Sequence, residues 1–153
     1  MKTYALELAS RGFWVFPVIE GGKAPAVKDW QEKATRDPQQ IERWFNGTRY
    51  NIGIYTGKFD DHDALVVVDV DTKTGKNGFE SLLGLEIEGY DLDPTLEQKT
   101  PSGGRHIIYR VSAACTQGVN VLGAGLDIRS RGGYIVGPGS QIDGKPYWPL
   151  DIN

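Results

Sequence analysis

The sequence predicts an α+β fold, and three observations carry that prediction. Short stretches rich in Val, Ile, Tyr and Phe recur through the chain, separated by glycine. Segments with helical apolar spacing and helix-terminal signals lie between them. Neither an internal repeat nor a low-complexity linker interrupts the 153 residues, so residues 1–153 are expected to form a single domain. At 39% hydrophobic and 24% charged residues, such a domain buries a core without covalent staples.

The elements follow in order. Tyr4 to Arg11 carries helix formers with apolar residues on one stripe, and Gly12 suits the position past its end. Phe13 to Val18 is aromatic and β-branched, which predicts a strand; Pro17 puts it at an edge or an end. Gly21 to Val27 reads as loop. Asp37-Pro38-Gln39-Gln40 predicts a helix start, with Asp37 as N-cap, Pro38 at the first helical position and Gln40 placed to close a capping box. Ile41, Trp44 and Phe45 then fall at helical spacing and are expected to face inward. Asn51 to Tyr55 predicts a short strand ended by Thr56-Gly57. Ala64 to Asp71 is the clearest strand, because Leu65-Val66-Val67-Val68 needs cover on both faces and therefore a central place. A helix is expected through Phe79 to Leu83. Later strands are expected over Arg105 to Val111, Leu126 to Arg129 and Tyr134 to Val136. Gly132-Gly133 permits a tight turn returning the last of these alongside its predecessor. Trp14, Trp30, Trp44 and Trp148 are expected mostly in the core, and Cys115 as a buried or incidental thiol.

Several classes of protein are excluded. One cysteine cannot make a disulfide framework or a cysteine-based zinc cage. No apolar run approaches the roughly 20 residues that span a bilayer, and no signal-peptide pattern opens the chain. The net charge of −3 argues against a uniformly basic DNA-binding surface. The charge is not uniform, however. Residues 58–97 hold eleven acidic side chains against three basic ones, and residues 99–135 hold five basic against one acidic. Such blocks fit two solvated faces, and they equally fit a site that holds metal ions beside polyphosphate.

Three segments carry candidate chemistry. Asp69-Val70-Asp71 ends the central strand, and alternate strand residues project from one face about 6.5–7 Å apart. Two such carboxylates either face solvent or share a hard divalent cation such as Mg²⁺; central strand ends are where open sheets commonly bind ligands. Thr100-Pro101-Ser102-Gly103-Gly104-Arg105-His106 is either a tight turn or a phosphate cradle. In the second case Gly103 and Gly104 let backbone N–H groups approach an anion, and Ser102 and His106 add donors. Asp127 and Arg129 share a strand face, either as an ion pair or divided between a metal and a phosphate. Together these residues fit two-metal nucleotidyl transfer, and they fit a metal-dependent nuclease as well. His62, among Asp60, Asp61 and Asp63, reads as part of a solvated loop.

The order of these segments resembles the bifunctional primase-polymerase domain of the archaeo-eukaryotic primase superfamily, found in phage and plasmid replication proteins. An apolar strand ending in Asp69-Val70-Asp71 is followed by Ser102-Gly103-Gly104-Arg105-His106 and then by Gly125-Leu126-Asp127-Ile128-Arg129 with Gly132-Gly133-Tyr134. Upstream, Val15-Phe16-Pro17, Lys23-Ala24-Pro25, Trp30-Gln31 and Asn51-Ile52-Gly53 also follow the pattern. The resemblance runs from about residue 5 to Trp148.

It implies an RRM-like sheet paired with a second small α/β unit, with the active site in the cleft between them. It implies that Asp69, Asp71 and Asp127 bind Mg²⁺ or Mn²⁺. It further implies that His106 with Ser102 contacts the phosphates of an incoming nucleoside triphosphate (NTP or dNTP), with Gly103 and Gly104 in the same loop. Arg129 and Lys23 are added here as triphosphate contacts. The implied substrates are single-stranded DNA template and primer. One cysteine cannot build the zinc stem of larger members, and because helical partners can be required to initiate primers, a helicase or helical accessory domain is expected as a partner supplied elsewhere. The implied location is the cytoplasm of a prokaryotic or phage-infected cell. A nuclease, or a non-catalytic module that binds nucleotide or single-stranded DNA, would use the same residues. With its acidic balance the chain is expected to bind DNA weakly and with strong salt sensitivity.

Overall fold

The computed structural model describes residues 1–73 and 75–152. It is a mixed α/β fold in which all the strand pairings among the described residues are antiparallel. The elements run α1 (Lys2–Ser10), β1 (Phe13–Val18), α2 (Trp30–Lys33), α3 (Pro38–Phe45), β2 (Asn51–Phe59), β3 (Ala64–Val70), α4 (Gly78–Ile87), β4 (Leu96–Lys99), β5 (Arg105–Val111), β6 (Gly118–Gly123), β7 (Leu126–Arg129), β8 (Tyr134–Val136), β9 (Gln141–Ile142), β10 (Lys145–Pro146) and β11 (Asp151–Ile152). They form a three-stranded sheet ordered β1-β2-β8, a six-stranded sheet ordered β11-β4-β5-β3-β7-β6 and the β9-β10 hairpin.

The run Leu65 to Val68 does what its composition requires. Strand β3 lies inside the larger sheet, hydrogen-bonded to β5 on one side and β7 on the other. Successive side chains point to opposite faces. Leu65 and Val67 enter a core shared with Phe13, Val15, Ile52, Ile54 and Ile135 of the smaller sheet and with Ala5, Leu8, Ile41 and Phe45 of α1 and α3. Val68 and Val70 join Leu126 and Ile128 on the other face, where Phe79, Leu82 and Leu85 of α4 cover them. Asp69 continues the Leu65–Val67 face, so it emerges just where the inter-sheet core ends.

Pro17 sits in β1, an edge strand of the smaller sheet, where its missing N–H removes no ladder bond toward a further strand. Asp37 caps α3 by accepting from the Gln39 N–H at 3.0 Å. The expected capping box is not formed by Gln40, because Thr35 Oγ1 takes the Asp37 N–H at 3.0 Å. Strand β2 runs past Thr56-Gly57 to Phe59: Phe59 pairs with Phe13 beyond a β-bulge, and Thr56 is buried with its hydroxyl on the Ser130 carbonyl.

The expected return of Tyr134–Val136 alongside its predecessor does not occur. β8 crosses to the other sheet and pairs with β2 instead. Ser130, fully buried, makes the crossing by donating to the Leu65 carbonyl at 2.8 Å. Trp148 is 56% exposed and outside the core, while Trp14, Trp30 and Trp44 are half-buried around Phe16, Val18 and Ala34. Cys115 is exposed. No helix among the described residues is long and apolar enough to cross a membrane.

Candidate active site

The antiparallel register sets one row of polar side chains across four strands. Gln98 of β4 lies opposite His106 of β5. His106 lies opposite Asp69 of β3, and Asp69 opposite Asp127 of β7. Directly opposed residues share a face, with Cβ atoms about 4.5–5.5 Å apart. The next row inward, Leu96, Ile108 and Val67, is apolar and packs into the inter-sheet core, with Arg129 at its β7 end. The polar row is therefore the rim of that core, supported by apolar packing on one side and open on the other.

Two neighbouring cavities adjoin this rim. One, of about 280 Å³, is lined by Lys23, Asp69, Asp71, Ser102, His106, Lys73, Lys145 and Tyr147, among others. The other, of about 610 Å³, is lined by Lys23, Asp69, Asp71, His106, Asp127, Arg129, Lys73 and Lys76, and by Tyr134, Ile135 and Val136 of the smaller sheet. Seven of the nine residues expected at the site thus come together: Lys23, Asp69, Asp71, Ser102, His106, Asp127 and Arg129.

Gly103 and Gly104 lie outside both linings and act on the backbone instead. Gly103 turns with φ of 88° in open space, whereas a Cβ on Gly104 would stand 2.2 Å from the Val70 carbonyl oxygen. Gly104 is what allows β5 to start tightly against the end of β3.

The electrostatics centre on Asp69. Its carboxyl is pushed up to about 6, mainly by burial, with Arg129 pulling it back down and Asp127 and Asp71 raising it further. Arg129 reaches both carboxylates, with Nη2 3.5 Å from Asp127 Oδ2 and Nε 3.9 Å from Asp69 Oδ2. Asp127 Oδ1 accepts the Asn120 N–H at 2.8 Å, which holds the carboxylate in place. Asp71 lies just past β3; its N–H donates to the Gly125 carbonyl at 2.8 Å and its Oδ1 accepts from the Lys73 N–H.

His106 is buried, and its ring is held down at about 3, first by that burial and then by the positive charges of Lys23 and Arg129. It is therefore uncharged at neutral pH. Its Nε2 stands 3.6 Å from Asp69 Oδ1, beyond hydrogen-bond length, and Tyr147 stacks on the ring at 6.0 Å.

Among the described residues no three carboxylate, imidazole or thiol groups converge into a ready-made metal cage. What the site offers is a set of oxygen donors strung along one rim, Asp69 between Asp71 and Asp127, with excess negative charge that a cation would relieve. An all-oxygen set suits Mg²⁺ or Mn²⁺ rather than a soft metal. The same cavities are also lined by the cations Lys23, Lys73, Lys145 and Arg129, which suit a phosphate chain. Chemically this is a place for two kinds of charge side by side.

Sequence reasoning missed Lys73, Lys145, Tyr147 and Gln98. Lys73 follows Asp69-Val70-Asp71 by two residues, a proximity that was available as a signal. Lys145 and Tyr147 arrive from the far end of the chain and Gln98 through strand pairing, for which no local pattern exists.

No curated protein matches the chain. The family model for the bifunctional DNA primase/polymerase N-terminal domain matches residues 5–152. That span takes in both sheets and every residue of the polar rim, and the chain accordingly belongs to the bifunctional DNA primase/polymerase family.

Proposed function

We propose that the chain is a DNA-dependent nucleotidyltransferase of phage or plasmid replication. It adds nucleotides to a primer 3′-hydroxyl on a single-stranded DNA template. The observation that carries this reading is the single register row in which His106, Asp69 and Asp127 stand side by side, with Lys23 and Arg129 about the same cavities. The two sheets support assignment to the archaeo-eukaryotic primase fold, with the six-stranded sheet as the RRM-like unit and the active site in the cleft beside the smaller one.

Asp69, Asp71 and Asp127 would hold the catalytic Mg²⁺ or Mn²⁺ ions. Bound there, the cations supply Lewis acidity that activates the attacking hydroxyl and offsets charge on the transferring phosphate. The remaining work belongs to the chain. Lys23, Ser102 and His106 bind the triphosphate, so that its reacting phosphorus is presented rather than left to diffuse. Arg129, which stands within 4 Å of both Asp69 and Asp127, would offer its planar fork to a phosphate. The apolar row behind the rim fixes the carboxylates before substrate arrives, so no reorganisation is spent at the moment of reaction.

A labelled primer–template incubated with Mn²⁺, with and without dNTPs, tests this. Lengthening that needs dNTPs, and that Asp69→Ala abolishes while circular dichroism stays unchanged, is the expected result. Shortening without dNTPs would make the protein a nuclease, and no change in length would leave it a binding module.

A further inference from the structure

Gln98 is 2% exposed, the buried member of a strand whose neighbours Leu96 and Glu97 are half-buried and Lys99 exposed. Its Nε2 lies 2.7 Å from the Val136 carbonyl oxygen and 2.7 Å from His106 Nδ1, and its Oε1 is buried with no hydrogen-bond partner. A carbonyl oxygen only accepts, so Val136 dictates that the NH₂ end of the amide faces it. Reversing the amide would set two acceptors 2.7 Å apart. The second hydrogen of the same nitrogen is then committed to Nδ1, which must accept it. An imidazole accepting at Nδ1 carries its proton on Nε2, the nitrogen that faces Asp69 and the cavities.

We propose that Gln98 is a positioning residue that fixes His106 as the Nε2–H tautomer, so that the ring presents a hydrogen-bond donor to the phosphates of the ligand. The assignment rests on the reading of His106 as a phosphate contact. The other tautomer would do the opposite: a lone pair on Nε2 would face carboxylate and phosphate oxygens, repelling both, and would offer itself as a ligand to a transition metal. The arrangement also explains an otherwise unfavourable choice. An apolar side chain of similar length would fill the place of Gln98 without burying an unpaired Oε1.

The chain has two histidines, His62 and His106, so a long-range ¹H–¹⁵N correlation spectrum of the ¹⁵N-labelled protein at neutral pH is assignable with His62→Ala. Wild-type His106 is expected to show a protonated Nε2 and a bare Nδ1, and Gln98→Met or Gln98→Leu to lose that pattern. A protonated Nδ1 in the wild type, or an unchanged pattern in both variants, overturns the proposal. In primer extension, Gln98→Met should raise the dNTP KM about tenfold, as for one lost hydrogen bond to a charged group, with a smaller change in kcat. A loss confined to kcat also overturns it. The spectrum requires no nucleotide. A wild-type protein that shows the tautomer but extends no primer would refute the proposed function, not the role of Gln98 toward His106.

Discussion

Asp127 lies directly across the β3–β7 pairing from Asp69, and a single guanidinium, Arg129, reaches an oxygen of each. Burial disfavours the charged form of Asp69, the neighbouring Asp127 and Asp71 add to that, and Arg129 only partly offsets it, so Asp69 holds a proton up to about pH 6. These carboxylates are thus under electrostatic tension that the fold must support. Its consequences are measurable.

Replacing Asp69 by Asn should stabilise the cation-free protein. The folded pKa of Asp69 is above its unfolded value of 3.8, so the associated stability is fully present below about pH 3.8 and is lost as pH rises through about 6. The neutral amide escapes that loss. Asp69→Asn is expected to exceed wild type by about 1–3 kcal/mol at pH 7.5, with the difference shrinking toward pH 4. Urea denaturation at the two pH values in chelator checks this, and equal stability at pH 7.5 would contradict it.

Divalent cations should stabilise the wild type, and more at pH 7.5 than at pH 5. A cation must displace the proton on Asp69, so its apparent affinity falls once that carboxyl is protonated. Mn²⁺ at 100 times its Kd is worth about 2.7 kcal/mol of apparent stability. Thermal melts with Mn²⁺ and then with chelator measure the gain, which Asp127→Asn should largely remove. An undiminished gain in that variant would take Asp127 out of the metal site.

The adjacent glycines should separate cleanly. Gly104→Ala drives a methyl into the Val70 carbonyl at 2.2 Å and is expected to cost about 1–3 kcal/mol, as overpacking does. It should also weaken the Mn²⁺-linked gain, because β5 and the end of β3 are pushed apart. Gly103→Ala meets nothing within 4 Å and is charged only for its positive φ, about 1 kcal/mol. Its Mn²⁺ response should match wild type. The same melts read both variants.

Lys23 is exposed yet lines both cavities. Lys23→Ala should raise the dNTP KM about tenfold, the effect of losing one charge-assisted phosphate contact. Primer–template affinity, read by fluorescence anisotropy, should change much less. A parallel fall in both would make Lys23 a DNA-backbone contact instead.

How much of this could be read from the sequence follows from the range of each interaction. The place of Asp69 was legible because Leu65 to Val68 is local and tolerates only a central strand. The helix start at Asp37 was equally local, although Thr35 rather than Gln40 completes it. The register that aligns His106, Asp69 and Asp127 was not legible, since it depends on β5 and β7 flanking β3 and on turns far apart in the chain. Leu96-Glu97-Gln98-Lys99 shows no strand alternation, so nothing local marks Gln98 for burial. Its burial is imposed by His106 on one side and Val136 on the other. The return expected after Gly132-Gly133 failed for a related reason: a tight turn says that the chain reverses, but not which sheet receives it. Ser130, buried between the sheets, makes that choice.

The polar rim takes its central residues from β5, β3 and β7, each hydrogen-bonded to neighbours on both sides. Strands so placed do not fray, and their amides are expected to exchange with solvent only when the whole sheet opens. The spacing of Asp69, Asp127 and His106 therefore persists for as long as the domain stays folded. Thermal loss of activity should coincide with global melting rather than precede it.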